Sequence, residues 1–312
     1  MIYPWTEPAR QEFLQRLASG RMAHAVLLCG PRDLGKTELA GQLVKALLCL
    51  DEKPGACGSC RSCRLMVGGA HPDFRLLTFE INPKNDTLRT EIVIEQVRQL
   101  NASLQLTNTL SRLKAALIFP AEAMNRNAAN ALLKSLEEPP GNTVLVLVSH
   151  DPARLPATIR SRCQSLHVRL PEESVAIDWL IRDGGYQPDM ARAALRASAG
   201  SPLQAKRMLQ AGETEQFCAL DQMLNRMETG QTAIDDVVEA CSNLELQGLW
   251  SWLSLIAAQR LRDSLARAEA GSDRIARLQS QADRNRKALA TQLRKDLLLR
   301  DWLIQWSRLA HE

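Results

Sequence analysis

Gly30-Pro31-Arg32-Asp33-Leu34-Gly35-Lys36-Thr37 has the spacing of a phosphate loop: two glycines separated by four residues, then Lys and Thr. In such a loop the backbone N–H groups wrap the phosphates of a nucleotide, the lysine reaches the outer two, and the threonine hydroxyl holds magnesium. Gly30, Gly35, Lys36 and Thr37 are therefore the candidate ligands of ATP or ADP. Working outward, Ala25-Val26-Leu27-Leu28-Cys29 is a short apolar run of the kind found in a buried parallel strand. On the other side Leu39, Leu43, Leu47 and Leu50 recur at helical spacing, which predicts a helix whose N-terminus points at the phosphates. Strand, loop and helix in that order predict an α/β fold built on a parallel sheet.

Hydrolysis needs more than a cradle, because an acid at the end of a neighbouring strand must help hold magnesium and a second group must orient water. The candidate strand is Ala115-Ala116-Leu117-Ile118-Phe119, followed by Pro120-Ala121-Glu122. The positions where an acidic pair is expected are Phe119 and Pro120. Glu122 follows a proline and reads as a helix-start residue rather than as a displaced catalytic acid. The expectation is a nucleotide fold without turnover. Asp33 adds to this, since its carboxylate lies among the candidate phosphate ligands and would repel them, although Asp tolerates unusual backbone angles.

A length of 312 residues predicts two or three domains, and 45% hydrophobic residues suffice to bury their cores. The net charge of +4 permits a weak nucleic-acid footprint without demanding one. No N-terminal stretch resembles a signal peptide and no apolar run approaches the roughly 20 residues that span a bilayer, so a cytoplasmic protein without membrane attachment is expected.

Four of the eight cysteines form one constellation, Cys49, Cys57, Cys60 and Cys63. The two-residue gaps turn the backbone so that thiolates converge, the segment with Pro54 and Gly55 can loop, and four sulfurs suit tetrahedral zinc. With no open coordination position the metal is structural. A disulfide pair is disfavoured in a reducing cytoplasm, and an iron–sulfur cluster lacks the Cys-Pro expected after Cys63. Cys29, Cys163, Cys218 and Cys241 stand singly and read as free thiols.

Further along, Arg126 to Leu136 reads as an amphipathic helix stopped by Glu137-Glu138-Pro139-Pro140. Thr143 to Ser149 is a second buried strand. Arg160 and Arg162 follow in a short segment, where composition alone suggests solvated surface. A last strand is expected near Leu166–Arg169.

The strings Asn130-Ala131-Leu132-Leu133-Lys134-Ser135-Leu136-Glu137-Glu138-Pro139-Pro140 and Ser161-Arg162-Cys163, the four-cysteine module and His71-Pro72-Asp73 resemble the AAA+ clamp-loader family of bacterial DNA polymerase III. The resemblance covers about residues 1–210; the rest matches in length and helical character. It implies an AAA+ nucleotide domain with the zinc module at 49–63 inserted in residues 1–168, a small helical lid at 169–206 and an α-helical collar at 207–312. It also implies a ring assembled with a motor subunit and a clamp-opening subunit, which loads a sliding clamp on primed DNA. In the family the Ser-Arg-Cys arginine acts in trans at a neighbour's ATP site, so Arg162 is the candidate finger. The lid stretch that carries an arginine in active members reads Gly200-Ser201-Pro202-Leu203 here. Polymerase chemistry would belong to other chains of the holoenzyme.

Helices are expected near Glu172–Arg182 and Asp189–Ala199. Trp250, Leu253 and Ile256, then Leu289, Leu293 and Leu297, fall at helical spacing and read as core or subunit interface. The stretch 272–296 is basic, with Arg274, Arg277, Arg284, Arg286, Lys287, Arg294 and Lys295, and reads as a solvated face or a contact for DNA or an acidic partner. Besides the leading reading of a non-catalytic clamp-loader subunit, an active ATP-hydrolysing motor subunit and a zinc-dependent DNA-binding protein remain open.

Overall fold

The computed structural model describes residues 2–51, 55–83, 85–267, 271–289 and 295–309. Pro54, Leu293 and Arg294 lie outside them. The chain divides into two compact units between Val175 and Ala176.

In the first unit the elements run α1 (Glu7–Ala18), β1 (Ala25–Cys29), α2 (Lys36–Leu48), α3 (Arg61–Val67), β2 (Phe74–Leu77), β3 (Ile81–Asn82), β4 (Thr87–Leu88), α4 (Ile94–Gln105), β5 (Lys114–Ile118), α5 (Arg126–Glu137), β6 (Thr143–Ser149), α6 (Ala157–Arg160) and β7 (Gln164–His167). The main sheet has the order β2-β5-β6-β1-β7, and every neighbouring pair is parallel. Residues of β1, β5 and β6 are buried along their whole length, which is why these strands read as continuous apolar runs rather than alternating ones. Ala25 pairs with Leu145 and Cys29 with Ser149, so β1 and β6 end level with each other. That common carboxyl edge is where a parallel sheet offers its loops to a ligand.

Three local expectations change. Leu50 does not continue the helix: α2 ends at Leu48, Cys49 is extended, and Leu50 is 38% exposed. The turn is set by Ser62 and Ser111, whose hydroxyls donate to the Leu48 carbonyl and remove it from the helical ladder. The strand expected at 115–119 begins one residue earlier and leaves Phe119 outside, and β7 likewise runs Gln164–His167 rather than 166–169.

The second unit is helical among its described residues. Its helices are α7 (Glu173–Gly184), which starts just before the division, α8 (Pro188–Ala197), α9 (Pro202–Ala211), α10 (Glu213–Glu228), α11 (Ile234–Cys241), α12 (Leu246–Ala266), α13 (Ser272–Ala288) and α14 (Lys295–Ser307). One core runs from Ala197 and Met208 through Phe217, Trp250 and Leu253 to Trp302 and Trp306. Trp302 and Trp306 stack with centroids 5.1 Å apart, and their indole N–H groups donate to the carbonyls of Leu278 and Leu224. Large aromatic area is buried here without stranding those donors. Leu289 packs on this core, whereas Leu297 is 53% exposed. No described helix is long and apolar enough to cross a membrane.

Candidate nucleotide loop, metal centre and arginine

The phosphate loop joins β1 to α2 as the sequence predicts, and its shape depends on both glycines. Gly30 has φ 150°, and a Cβ there would lie 2.0 Å from the Val168 carbonyl oxygen. Gly35 caps α2 in the left-handed region, φ 74°, and a Cβ there would lie 2.3 Å from the ring of Tyr3. Tyr3 stacks on Trp5 with centroids 5.2 Å apart, and the Trp5 indole donates to the Leu34 carbonyl at 3.0 Å. An aromatic pair from the N-terminus thus braces the loop, a contact that no local motif announces. Asp33 takes φ 58°, the strained angle that Asp accepts more readily than most residues.

Lys36 is 2% exposed and its Nζ donates to the Pro31 carbonyl in the same loop. Burial brings its pKa down to about 8, against the opposing pull of the Glu122 and Asp33 carboxylates. Thr37 follows it in the first turn of α2, half-buried. Gly30, Gly35, Lys36 and Thr37 stand in the loop and at the N-terminus of α2, the places the motif assigns.

Phe119 and Pro120 occupy the acid positions. Glu122 lies in a 3-10 turn, Ala121–Ala123, consistent with a helix-start residue, yet its Oε1 accepts the backbone N–H of His150 at 3.0 Å. Its charge also acts on Lys36. Glu122 Oε2, Ser149 Oγ and His150 Nδ1 are buried without a hydrogen-bond partner, and Glu122 and His150 line a cleft of about 620 Å³ with Arg32, Phe119 and Arg154. Burial first, then the positive charge of Lys36, lowers the His150 pKa. The sequence singled out Glu122 as a helix-start residue; its contact with the His150 N–H, just past the end of β6, is a long-range one that reading along the strand does not reveal.

The four cysteines converge. Their sulfurs all lie within 4.8 Å of one another, with Cys49–Cys60 at 3.9 Å, Cys57–Cys63 at 3.9 Å and Cys49–Cys63 at 3.8 Å. A tetrahedron with zinc–sulfur bonds of about 2.3 Å has sulfur–sulfur edges of about 3.8 Å, whereas a disulfide requires about 2.05 Å. The donor set fits zinc. Backbone N–H groups of Cys57, Cys60 and Cys63 point at the sulfurs of Cys49, Cys57 and Cys60, which favours thiolates. The bond from Cys60 N–H is the main reason the Cys57 thiol titrates low, while burial drives Cys63 high. Of the single cysteines, Cys29, Cys163 and Cys241 are buried and Cys218 partly so; Cys29 Sγ lies 3.2 Å from His167 Nδ1.

Arg162 sits just past α6, with its side chain 36% exposed. Its Nη2 meets Glu137 Oε1 at 2.6 Å and its Nη1 donates to the Thr158 carbonyl at 3.0 Å. Arg160 is exposed. In the second unit the exposed cations Arg277, Arg284 and Lys287 share one face of α13, while Arg286 pairs with Asp283 at 3.2 Å. Ser201 precedes α9 with Pro202 in its first turn.

Comparison with known proteins identifies the family. A family model described as "DNA polymerase III, delta subunit" matches residues 5–172. The delta' subunit of DNA polymerase III from Pseudomonas aeruginosa is 38% identical, over 97% of this chain and 90% of its own length. The chain belongs to the delta-prime family of DNA polymerase III clamp-loader subunits. The Escherichia coli delta-prime subunit is 39% identical over 64% of this chain and 58% of its own length. A solved gamma-subunit-related protein of DNA polymerase III from Thermotoga maritima aligns over 96% of this chain and 99% of its own, with 17% identity and a TM-score of 0.47. As a delta-prime family member, the chain has the α/β AAA+ fold with a tetracysteine module that the sequence suggested.

Proposed function

We propose that this chain is a non-hydrolysing subunit of the clamp loader that lends Arg162 to the ATP site of a neighbouring motor subunit. In that role it assembles with the motor and clamp-opening subunits, in the cytoplasm, to load the sliding clamp on primed DNA. Residues 1–168 form the nucleotide-type domain, 169–206 the lid and 207–312 the collar that carries assembly. Zinc held by Cys49, Cys57, Cys60 and Cys63 is structural, and ATP or ADP at the loop would be retained rather than turned over. The observation that supports this reading best is the contrast between Arg162, which keeps exposed donors at the surface, and Phe119 and Pro120, which fill the acid positions. A guanidinium entering a neighbour's site adds positive charge where the phosphoryl transition state spreads negative charge, an effect worth about 10³ to 10⁵ in rate in related systems.

The test is ATP turnover by a loader reconstituted from its partner subunits, clamp and primed DNA with either this chain or Arg162→Ala. Turnover is expected to collapse with assembly intact. Unchanged turnover would reduce Arg162 to a structural residue.

Glu122 favours a second reading, turnover by the chain itself, since its Oε2 is buried without a partner and its charge acts on Lys36. Steady ATP hydrolysis by the isolated chain, lost in both Lys36→Ala and Glu122→Gln, would establish that reading; its absence is the expected outcome.

A further inference from the structure

We infer that Glu137 is a positioning residue for Arg162, a step that rests on the trans-acting role proposed for that arginine. Glu137 is the last residue of α5, and Glu138-Pro139-Pro140 cannot continue the helix. A carboxylate in the last turn of a helix faces the negative end of the dipole, so Glu137 does nothing for α5 itself. Its partner is elsewhere: Oε1 meets Arg162 Nη2 at 2.6 Å.

Both ends of the pair stand on anchored backbone. Beside Glu137, Leu136 is 1% exposed, and α5 is held by Ala128, Ala129 and Leu132, all buried. Beside Arg162, Ile159 and Cys163 are buried and the Arg162 N–H donates to the Ile159 carbonyl at 3.1 Å. The guanidinium is then fixed at three points, by Glu137 on Nη2 and by the Thr158 carbonyl and, at 3.5 Å, the Ser161 hydroxyl on Nη1. Three of its five N–H donors are used and two remain for a phosphate. A long side chain otherwise free to sample many rotamers is presented in one, and the ordering entropy is lost before the neighbour's nucleotide arrives. Because the pair is solvent-exposed it adds little to fold stability, so its effect belongs to orientation.

The experiment compares reconstituted loaders, with clamp and primed DNA, carrying this chain as parent, Glu137→Ala, Glu137→Gln, Arg162→Ala and the Glu137→Ala/Arg162→Ala double variant. Glu137→Ala should lower kcat by about tenfold with KM for ATP unchanged, as expected for lost orientation. Glu137→Gln, whose amide oxygen still accepts, should recover part of that loss. On the Arg162→Ala background the Glu137 change should have no further effect. An equal loss on both backgrounds, no recovery in Glu137→Gln, or a changed KM with constant kcat would overturn the inference. So would normal or raised turnover in Glu137→Ala while Arg162→Ala collapses, an outcome that leaves the trans-acting arginine standing. Unchanged turnover in Arg162→Ala would instead remove that role and this inference with it.

Discussion

His71 Nε2 and Ser62 Oγ meet at 2.9 Å in the buried interior, and this contact ties the cysteine module to the phosphate-loop helix. Ser62 lies on α3 beside Cys63, and its hydroxyl donates to the carbonyl of Leu48 at the end of α2. Ser111 donates to the same carbonyl and stands 3.3 Å from the same imidazole nitrogen. Since His71 Nδ1 accepts the Asp73 N–H at 3.1 Å, the ring proton sits on Nε2. Burial lowers the His71 pKa and keeps the ring neutral.

Asp73 anchors the other side of this network, where its carboxylate accepts backbone N–H groups of Thr109, Leu110 and Ser111 at 2.7, 2.8 and 2.7 Å. Burial alone would raise its pKa, but those three donors together bring it below the ordinary 3.8. Asp73→Asn is expected to cost about 2 kcal/mol at pH 7, by denaturant unfolding. The folded pKa is depressed, so the parent's advantage is present above pH 3.8 and shrinks as pH falls through the folded value. An advantage independent of pH down to pH 2 would contradict this account.

Zinc binding predicts one metal per chain, lost in Cys60→Ser together with part of the thermal stability. Chelation should lower the melting temperature of the parent and leave that of Cys60→Ser nearly unchanged. Protons compete with the metal for the thiolates, so the parent's metal-dependent stability should fall on acidification. Metal analysis with melting curves tests all three.

Lys36 is kept at a cost to the fold. Its folded pKa of about 8 lies below the ordinary 10.5, so the buried charge destabilises in full below pH 8 and the cost fades as pH rises towards 10.5. Lys36→Met should therefore be more stable than the parent at pH 7, by roughly 1–3 kcal/mol, with the gap closing between those two values. A gap that widened with pH would be the wrong sign.

Gly30→Ala should destabilise by more than about 2 kcal/mol, because its Cβ would collide with the Val168 backbone where β1 meets the chain beyond β7. Gly41→Ala, inside α2 with open space around its Cβ, should instead stabilise by up to about 1 kcal/mol. Equal effects of the two, measured by urea unfolding, would remove the close-approach argument.

Sequence alone determined the features that depend on neighbours along the chain. The loop between Ala25–Cys29 and Lys36, the buried strand Thr143–Ser149 and the stop at Pro139-Pro140 are set by local periodicity, side-chain type and backbone restriction. The spacing of Cys49, Cys57, Cys60 and Cys63 is legible for the same reason, since a short segment has few ways to bring four sulfurs together. That Phe119 and Pro120, rather than acids, follow the strand could be read once the strand was placed. Contacts between distant segments belong to the tertiary structure: Tyr3 on Gly35, Glu122 on the His150 N–H, Glu137 on Arg162, and His71 on Ser62 and Ser111. The exposed Leu50 and Leu297 belong there too, because a helical period continues on paper wherever a leucine recurs. A helix ends where other segments capture its last carbonyl, as Ser62 and Ser111 capture that of Leu48, and sequence spacing carries no record of that capture.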